Sequence, residues 1–226
     1  MDYYMGQANN ATISPVCSAE GGQRVLVLVP IIHTPADMGG LQEPIHRLKV
    51  RKVGKLAWER SNDLVEAFWK QIEATVDGLQ LPYQRVRLYQ DGLPVCGHEL
   101  EIVADMGKVG SRNYLLLLKL KEKGAMLMGT ESSELLVEEY QLARAVLDRQ
   151  RPEVPGRGRS NAQALEDSLL KRRDQFIGRR ISSTLQNGET GLIFLGMLHA
   201  IEPWLDQDIR VLRPVRQDLH RQGPRP

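Results

Sequence analysis

The stretch Thr190-Gly-Leu-Ile-Phe-Leu-Gly-Met-Leu-His199 decides the fold of this chain. It is a short apolar run that follows a turn signal, Asn187-Gly188, and ends on a histidine. Apolar runs of this length between turn signals are typical of strands buried inside a sheet. The pattern therefore predicts a buried strand that places His199 where the strand passes into a loop. In sheets covered by helices on both faces, the carboxyl ends of the strands form the crevice in which ligands bind.

Other strands are predicted at both sides of this stretch in the sequence. Arg24-Val-Leu-Val-Leu-Val-Pro-Ile-Ile-His33 has the same buried pattern and also ends on a histidine, after which Pro35 stops the strand. The remaining predicted strands are residues 84–89, which lead to Asp91, residues 125–128, which lead to Glu131, and residues 210–213.

Helical periodicity fills the intervals between these strands. The predicted helices are residues 58–79, residues 99–123 as one helix or two, residues 134–150 after a serine cap, and a long helix capped by Asn161. This alternation predicts an α/β fold with a largely parallel central sheet of about 4–6 strands and helices on both faces. The order of the strands stays open.

Length and composition predict one domain with flexible ends. The chain has 226 residues, 42% of them hydrophobic, and a net charge of +2. We expect a flexible arm over residues 1–22, a single α/β domain over residues 23–213 with a mobile loop near 151–160, and a basic flexible tail over residues 214–226.

The same composition predicts a cytoplasmic protein. Cys17 and Cys96 lie far apart and fit neither a disulfide framework nor a metal motif, which favours a reducing compartment. No apolar run is long enough for a membrane span, and the first residues lack the order of a signal peptide. Assembly into a homo-oligomer stays open.

Four polar residues follow four of the predicted strands: His33, Asp91, Glu131 and His199. If the strands are parallel, these side chains converge on one edge of the sheet. Two imidazoles and one or two carboxylates are the usual ligands of a divalent ion such as zinc, manganese, cobalt or iron. Each residue taken alone also fits a simpler interpretation, a polar cap where a strand meets solvent. No organic cofactor is predicted.

Arg173 and His98 are two further candidates. Arg173 lies on the apolar stripe of the long helix, between Leu169 and Ile177, where a charge needs a partner or a substrate anion. A side chain that reaches solvent from the edge of the stripe is the alternative. His98 follows the Asp91 loop and could support the site, although a helix start also explains it.

Several function classes lack their motifs. The chain has no Walker loop, no GxSxG and no GxGxxG, which argues against phosphate-loop NTPases, α/β-hydrolases and dinucleotide-binding enzymes. A basic segment at residues 47–55 lacks interleaved aromatic residues, so a nucleic-acid partner is not favoured.

These residues resemble the TraB/Tiki group of metal-dependent hydrolases, which carries two GxxH motifs at strand ends. Gly196-Met-Leu-His199 matches the second motif, and Pro30-Ile-Ile-His33 matches the first except that proline replaces glycine. Arg173-Asp174 resembles the arginine segment of that group. Glu131 is the best candidate for its glutamate, and Asp91 competes with it.

The resemblance implies that a bound metal activates water. His33 and His199 would ligate the ion, Glu131 would be a ligand or general base, and Arg173 would hold an anionic group of a small-molecule or peptide substrate. A non-catalytic ligand-binding or sensor module that uses the same crevice is the alternative. A scaffold that acts through the basic segments is a third hypothesis.

Overall fold

The computed structural model describes residues 22–32, 34, 37, 55–148 and 159–214 of the chain. His33 lies outside these residues, as do nearly all of the predicted arm at 1–22, most of the predicted loop at 151–160 and nearly all of the tail predicted at 214–226.

The core of the fold is a five-stranded, fully parallel sheet, which confirms the predicted fold class. The strand order is β3-β2-β4-β1-β5, and β4 pairs with β1 and β2. The strand at residues 190–196 is therefore central, as its apolar composition requires. The strands are β1 (Arg24–Ile31), β2 (Val86–Gln90), β3 (Met126–Leu127), β4 (Thr190–Gly196) and β5 (Ile209–Leu212).

Five helices connect the strands within the described residues: α1 (Lys55–Gly78), α2 (Glu99–Lys108), α3 (Arg112–Glu122), α4 (Ser133–Asp148) and α5 (Arg159–Thr184). The segment predicted as one helix or two forms two, because Gly110 adopts a φ of +83° between α2 and α3. Ser132 caps α4 by accepting a hydrogen bond from the backbone N–H of Leu135. The predicted cap at Asn161 is wrong, since α5 begins at Arg159. No helix of the described residues is both long and apolar enough to cross a membrane.

Helices pack on both faces of the sheet. Because side chains alternate along a strand, Val25 and Val27 of β1 face one layer, and Leu26 and Leu28 face the other. The first layer contains buried residues of α1 and α3 (Trp69, Ile72, Val76, Leu116, Leu117, Leu120). The second contains α5 and its C-terminal flank (Ile177, Ile181, Leu185).

The chain after β4 forms a turn before it reaches His199. The predicted strand ran to His199, but the structure ends β4 at Gly196, and Met197 and Leu198 are exposed in the turn. The backbone N–H of His199 donates to the carbonyl of Gly196 at 3.1 Å. A 3₁₀ turn, Glu202–Trp204, follows and contacts α5 so closely that a Cβ at Gly178 would lie 2.5 Å from the Cβ of Trp204. Glycine at this position therefore lets α5 lie against the segment that carries His199.

Candidate active site

Asp91 connects two strands at the carboxyl edge of the sheet. It follows the last residue of β2, and its backbone N–H donates to the carbonyl of Phe194 in β4 at 2.9 Å. Its Oδ2 accepts a hydrogen bond from the backbone N–H of Gly196 at 2.9 Å. The end of β2 and the end of β4 therefore hold this carboxyl group between them.

Glu131 reaches the same edge from the loop after β3. Its backbone N–H donates to the carbonyl of Leu93, and its carbonyl accepts from the N–H of Val95. Its Oε1 accepts from the N–H of Gly92 at 2.7 Å. The loops after β2 and β3 are thus bonded to each other, and they bring Glu131 close to Asp91.

Arg173 projects from α5 between these two carboxyl groups. Its Nε donates to Oε2 of Glu131 at 2.7 Å, and its Nη2 donates to Oε1 of Glu131 at 2.7 Å and to Oδ1 of Asp91 at 2.8 Å. Its Nη1 donates to Glu139 of α4, which lies at the half-exposed rim. The arginine on the apolar stripe thus has carboxylate partners within the protein.

His199 is held between two aspartates. Its Nδ1 lies 2.5 Å from Oδ1 of Asp174, and its Nε2 lies 3.4 Å from Oδ2 of Asp91. The second oxygen of Asp174 accepts from the backbone N–H of Ala200 at 3.0 Å, so Asp174 fixes both the ring and the chain beside it. We call Asp91, Glu131, Arg173, Asp174 and His199 the Arg173 cluster.

The Arg173 cluster is almost completely buried. The exposed fraction of the side chain is 3% for Asp91, 1% for Glu131, 6% for Arg173 and 4% for His199. Burial of charges is costly unless they are paired and hydrogen-bonded. Burial by itself lowers the pKa of Arg173, but hydrogen bonds and charges of Glu131 and Asp91 outweigh it and raise that pKa. The guanidinium therefore stays charged.

Burial raises the pKa of Glu131 above the ordinary range, and the nearby Asp91 raises it further against the opposing effect of Arg173. Charge balance gives the same direction. Three buried carboxyl groups face one guanidinium and one imidazole, and Glu139 at the rim adds a fourth carboxyl group, so negative charge is in excess even when His199 is protonated. A proton on Glu131 would reduce that excess.

The Arg173 cluster raises the pKa of its histidine, His199. Burial by itself lowers its pKa, but the hydrogen bonds from the imidazole to Asp174 and Asp91 outweigh burial and raise the pKa to about 9. The imidazole is therefore protonated at neutral pH.

The Tyr114 side chain of α3 lies near this edge. The Tyr114 hydroxyl would be 4.0 Å from a Cβ at Gly92, the residue whose N–H bonds Glu131. Burial raises the pKa of Tyr114, and the charges of Asp37, Asp91 and Glu131 raise it further, so the hydroxyl keeps its proton. Next to it, both amide atoms of the buried Asn113 have no hydrogen-bond partner among the described residues.

The structure brings together four of the residues proposed from the sequence: Asp91, Glu131, Arg173 and His199. His33, the proposed second histidine, lies outside the described residues. His98 is exposed at the start of α2, where its Nδ1 pairs with Glu101 at 2.9 Å. It has no contact with the Arg173 cluster among the interactions of the described residues.

Sequence reasoning missed the roles of Asp174 and Glu139. Asp174 carried a signal, since a second charged residue directly after Arg173 lies at the edge of the same apolar stripe. Glu139 carried none, because an acidic residue on a surface helix is ordinary.

A divalent metal fits one part of this arrangement. Metal-binding histidines commonly donate one ring nitrogen to a carboxylate, as His199 does to Asp174, and use the other nitrogen as the ligand. Nε2 of His199 faces Asp91, so these two residues would supply ligands. Glu131 fits less well because both of its oxygens bond Arg173. The described residues contain no group of three or more such side chains that could hold an ion by itself.

No family model matches the chain, and no curated protein or solved structure is significantly similar to it. The resemblance to the TraB/Tiki group therefore stays a prediction, and function is inferred from the geometry of the Arg173 cluster.

Proposed function

We propose that this protein is a hydrolase of the TraB/Tiki type that activates water at the carboxyl edge of its sheet. The observation that carries the proposal is the buried imidazole of His199, which has one carboxylate on each ring nitrogen. Buried ionisable groups with shifted pKa values cluster at catalytic sites more often than elsewhere. The edge at which they meet is also where ligands bind in parallel α/β sheets.

Each residue of the Arg173 cluster has a different role in this proposal. Asp174 is a positioning residue that holds Nδ1, so that Nε2 of His199 points toward Asp91. Glu131, whose pKa is raised by burial, is the group that would exchange a proton with water or a leaving group. Arg173 holds both carboxyl groups in place and stays charged throughout.

A divalent ion completes the proposal. His199 and Asp91 would hold it together with His33, and the ion would supply a Lewis acid that lowers the pKa of a bound water. The ion and a proton compete for Nε2 of His199, because a histidine must be neutral to bind metal. Metal binding at neutral pH should therefore displace the proton that His199 carries.

The substrate that we propose is a small molecule or a peptide, and the location is the cytoplasm. Cys96 is free and exposed, which is compatible with a reducing compartment. We propose no nucleic-acid partner, because the described site is acidic rather than basic.

A non-catalytic ligand-binding module is the second candidate. Its support is that the oxygens of Glu131 already have donors inside the protein and that the cluster is nearly closed to solvent. Such a module would bind its ligand without turnover.

Metal binding with proton release tests the proposal. We would titrate zinc, manganese, cobalt and iron(II) into the protein by calorimetry at pH 7.5, in two buffers of different ionisation enthalpy. The expected result is stoichiometric binding with release of about one proton. The His199→Gln variant should lose both signals, whereas His98→Gln, which changes an exposed histidine, should keep them.

Turnover is then measured for the metal-loaded protein with chromogenic ester, peptide and phosphoester substrates. Activity lost in His199→Gln and retained in His98→Gln supports the hydrolase. Activity that survives in a folded His199→Gln protein overturns the assignment of the site. If metal binds and none of the substrates is turned over, the binding module is favoured.

A further inference from the structure

The outer face of α5 lines a groove that is separate from the Arg173 cluster. Its volume is about 520 Å³, within the range of roughly 300–1,000 Å³ that ligand pockets occupy. Arg172, Phe176, Arg179 and Arg180 contribute to it at helical spacing, and Leu135 of α4 forms the facing wall. Arg173 points to the other side of the helix. We call this cavity the α5 groove.

The α5 groove carries positive charge that is only partly neutralised. Arg172 pairs with Glu138 at 2.8 Å. Among the described residues, Arg179 has no hydrogen bond or ion pair, and Arg180 donates only its Nε, to the carbonyl of Gly129 at 3.1 Å. In the part of the chain that the structure describes, neither Arg179 nor Arg180 therefore forms a close ion pair, although the Glu99 carboxylate lies near enough to Arg180 for an electrostatic interaction.

The same groove has an apolar floor. Phe176 is half-buried, and the wall residue Leu135 is only 9% exposed. Phe176 lies one turn from Arg172 on one side and one turn from Arg180 on the other. Along the helix, the lining from Arg172 to Ser183 extends over about 16 Å at the usual rise per residue.

We propose that the α5 groove binds a small carboxylate with an alkyl tail. The carboxylate would pair with Arg179 and Arg180, whose donors suit a carboxylate head. The tail would lie over Phe176 and against Leu135, where burial of methylene groups is favourable. A folded protein partner fits less well, since a stable interface needs about 800 Å² on each side.

Calorimetric titration with decanoate tests this site on the full chain. We expect binding with a dissociation constant below about 1 mM, and a strengthening of roughly two- to fourfold for each methylene added from hexanoate to decanoate. The double variant Arg179→Gln, Arg180→Gln should weaken decanoate binding at least about tenfold, because charge-assisted hydrogen bonds are lost. The control is Arg210→Gln, which removes an exposed arginine of β5 and should leave binding unchanged. Circular dichroism confirms that each variant is folded.

Three further probes define what would overturn the proposal. Decyltrimethylammonium has a similar tail and the opposite charge, so equal binding would show that the arginines do not select the ligand. Acetate has the carboxylate without the alkyl chain, so an affinity equal to that of decanoate would show that Phe176 and Leu135 do not bind the chain. Binding of polyglutamate, with no binding of decanoate, would make the groove a surface for an acidic protein. Absence of decanoate binding, or equal affinity in the double variant, also overturns the proposal.

Discussion

Two arginines anchor ion-pair clusters at opposite edges of the same sheet. At the amino edge, Arg24 begins β1 and donates to Asp208 at 2.7 Å and to Asp206 at 2.9 Å. At the carboxyl edge, Arg173 donates to Glu131 and Asp91 over similar distances. The carboxylates of the first cluster are 57% and 58% exposed, whereas those of the second are 3% and 1% exposed.

The comparison teaches that ion pairing alone does not mark a functional site. The hydrogen bond from Arg24 lowers the pKa of Asp208, which stays an ordinary solvated carboxylate. Burial raises the pKa of Glu131, although Glu131 also bonds an arginine. What distinguishes the carboxyl edge is the exclusion of water together with an excess of carboxyl groups and a histidine, because these conditions shift protonation equilibria.

The largest expected difference between the two clusters is the loss in the free energy of unfolding when the arginine of each is replaced. Arg173→Met removes the guanidinium that both Asp91 and Glu131 contact in a buried site, so the free energy of unfolding should fall by about 3–5 kcal/mol. Arg24→Met should cost less, because its aspartates are already exposed to water and the partly buried groups that lose a donor are the carbonyls of Ser182 and Leu185. Urea denaturation of both variants measures the difference. Equal losses would mean that the buried cluster is no more dependent on its cation than the exposed one.

The pH dependence of stability should differ between the wild type and His199→Gln. The folded-state pKa of His199 is about 9, above its ordinary value of 6.5. Its stabilising contribution is therefore fully present below pH 6.5 and is lost as the pH rises through 9. The rise of the His199 pKa from 6.5 to about 9 corresponds to about 3 kcal/mol in the free energy of unfolding.

Urea denaturation between pH 6 and pH 10 in the presence of a chelator measures this contribution. The stability difference between the wild type and His199→Gln should shrink across that range. A constant difference would show that His199 keeps the same charge when the chain unfolds.

A second substitution should partly restore the protein that lacks Arg173. In the Arg173→Met background, Glu131→Gln removes the charge of a buried carboxyl group that has lost its guanidinium, so we expect a recovery of about 1–2 kcal/mol. The same Glu131→Gln change in the wild type should destabilise the protein, because it weakens the bond to Arg173. A double-mutant cycle by urea denaturation measures both effects. Identical effects in the two backgrounds would exclude energetic coupling between Glu131 and Arg173.

Much of the fold follows from local patterns. The apolar runs predicted β1 and the central strand β4, and the periodicity of residues 58–79 predicted α1 to within three residues at its start. Boundaries were less accurate where a local signal competed with packing. Met197 and Leu198 extend the apolar run of β4 in sequence, yet the chain turns there to bring His199 back toward Asp174.

Only four of the five residues of the Arg173 cluster were predictable, and their contacts were not. Residues directly after strands and a charge on an apolar stripe singled out Asp91, Glu131, His199 and Arg173. Their pairing was not predictable, because contacts between distant segments depend on the strand order. The prediction that Arg173 binds a substrate anion was one of several alternatives, and its partners in the structure are carboxylates of the protein.

The sequence by itself determined the alternation of strands and helices, because the spacing of apolar residues within each short segment is enough to distinguish a strand from a helix. It also singled out Asp91, Glu131 and His199 as ionisable groups in the segments that follow strands. Only the tertiary structure decided that β2 and β4 lie side by side, so that Asp91 meets Gly196 and His199. The same packing excludes water from Glu131 and Arg173. Burial is the main cause that raises the pKa of Glu131, whereas the carboxyl groups around Arg173 outweigh burial and keep its guanidinium charged.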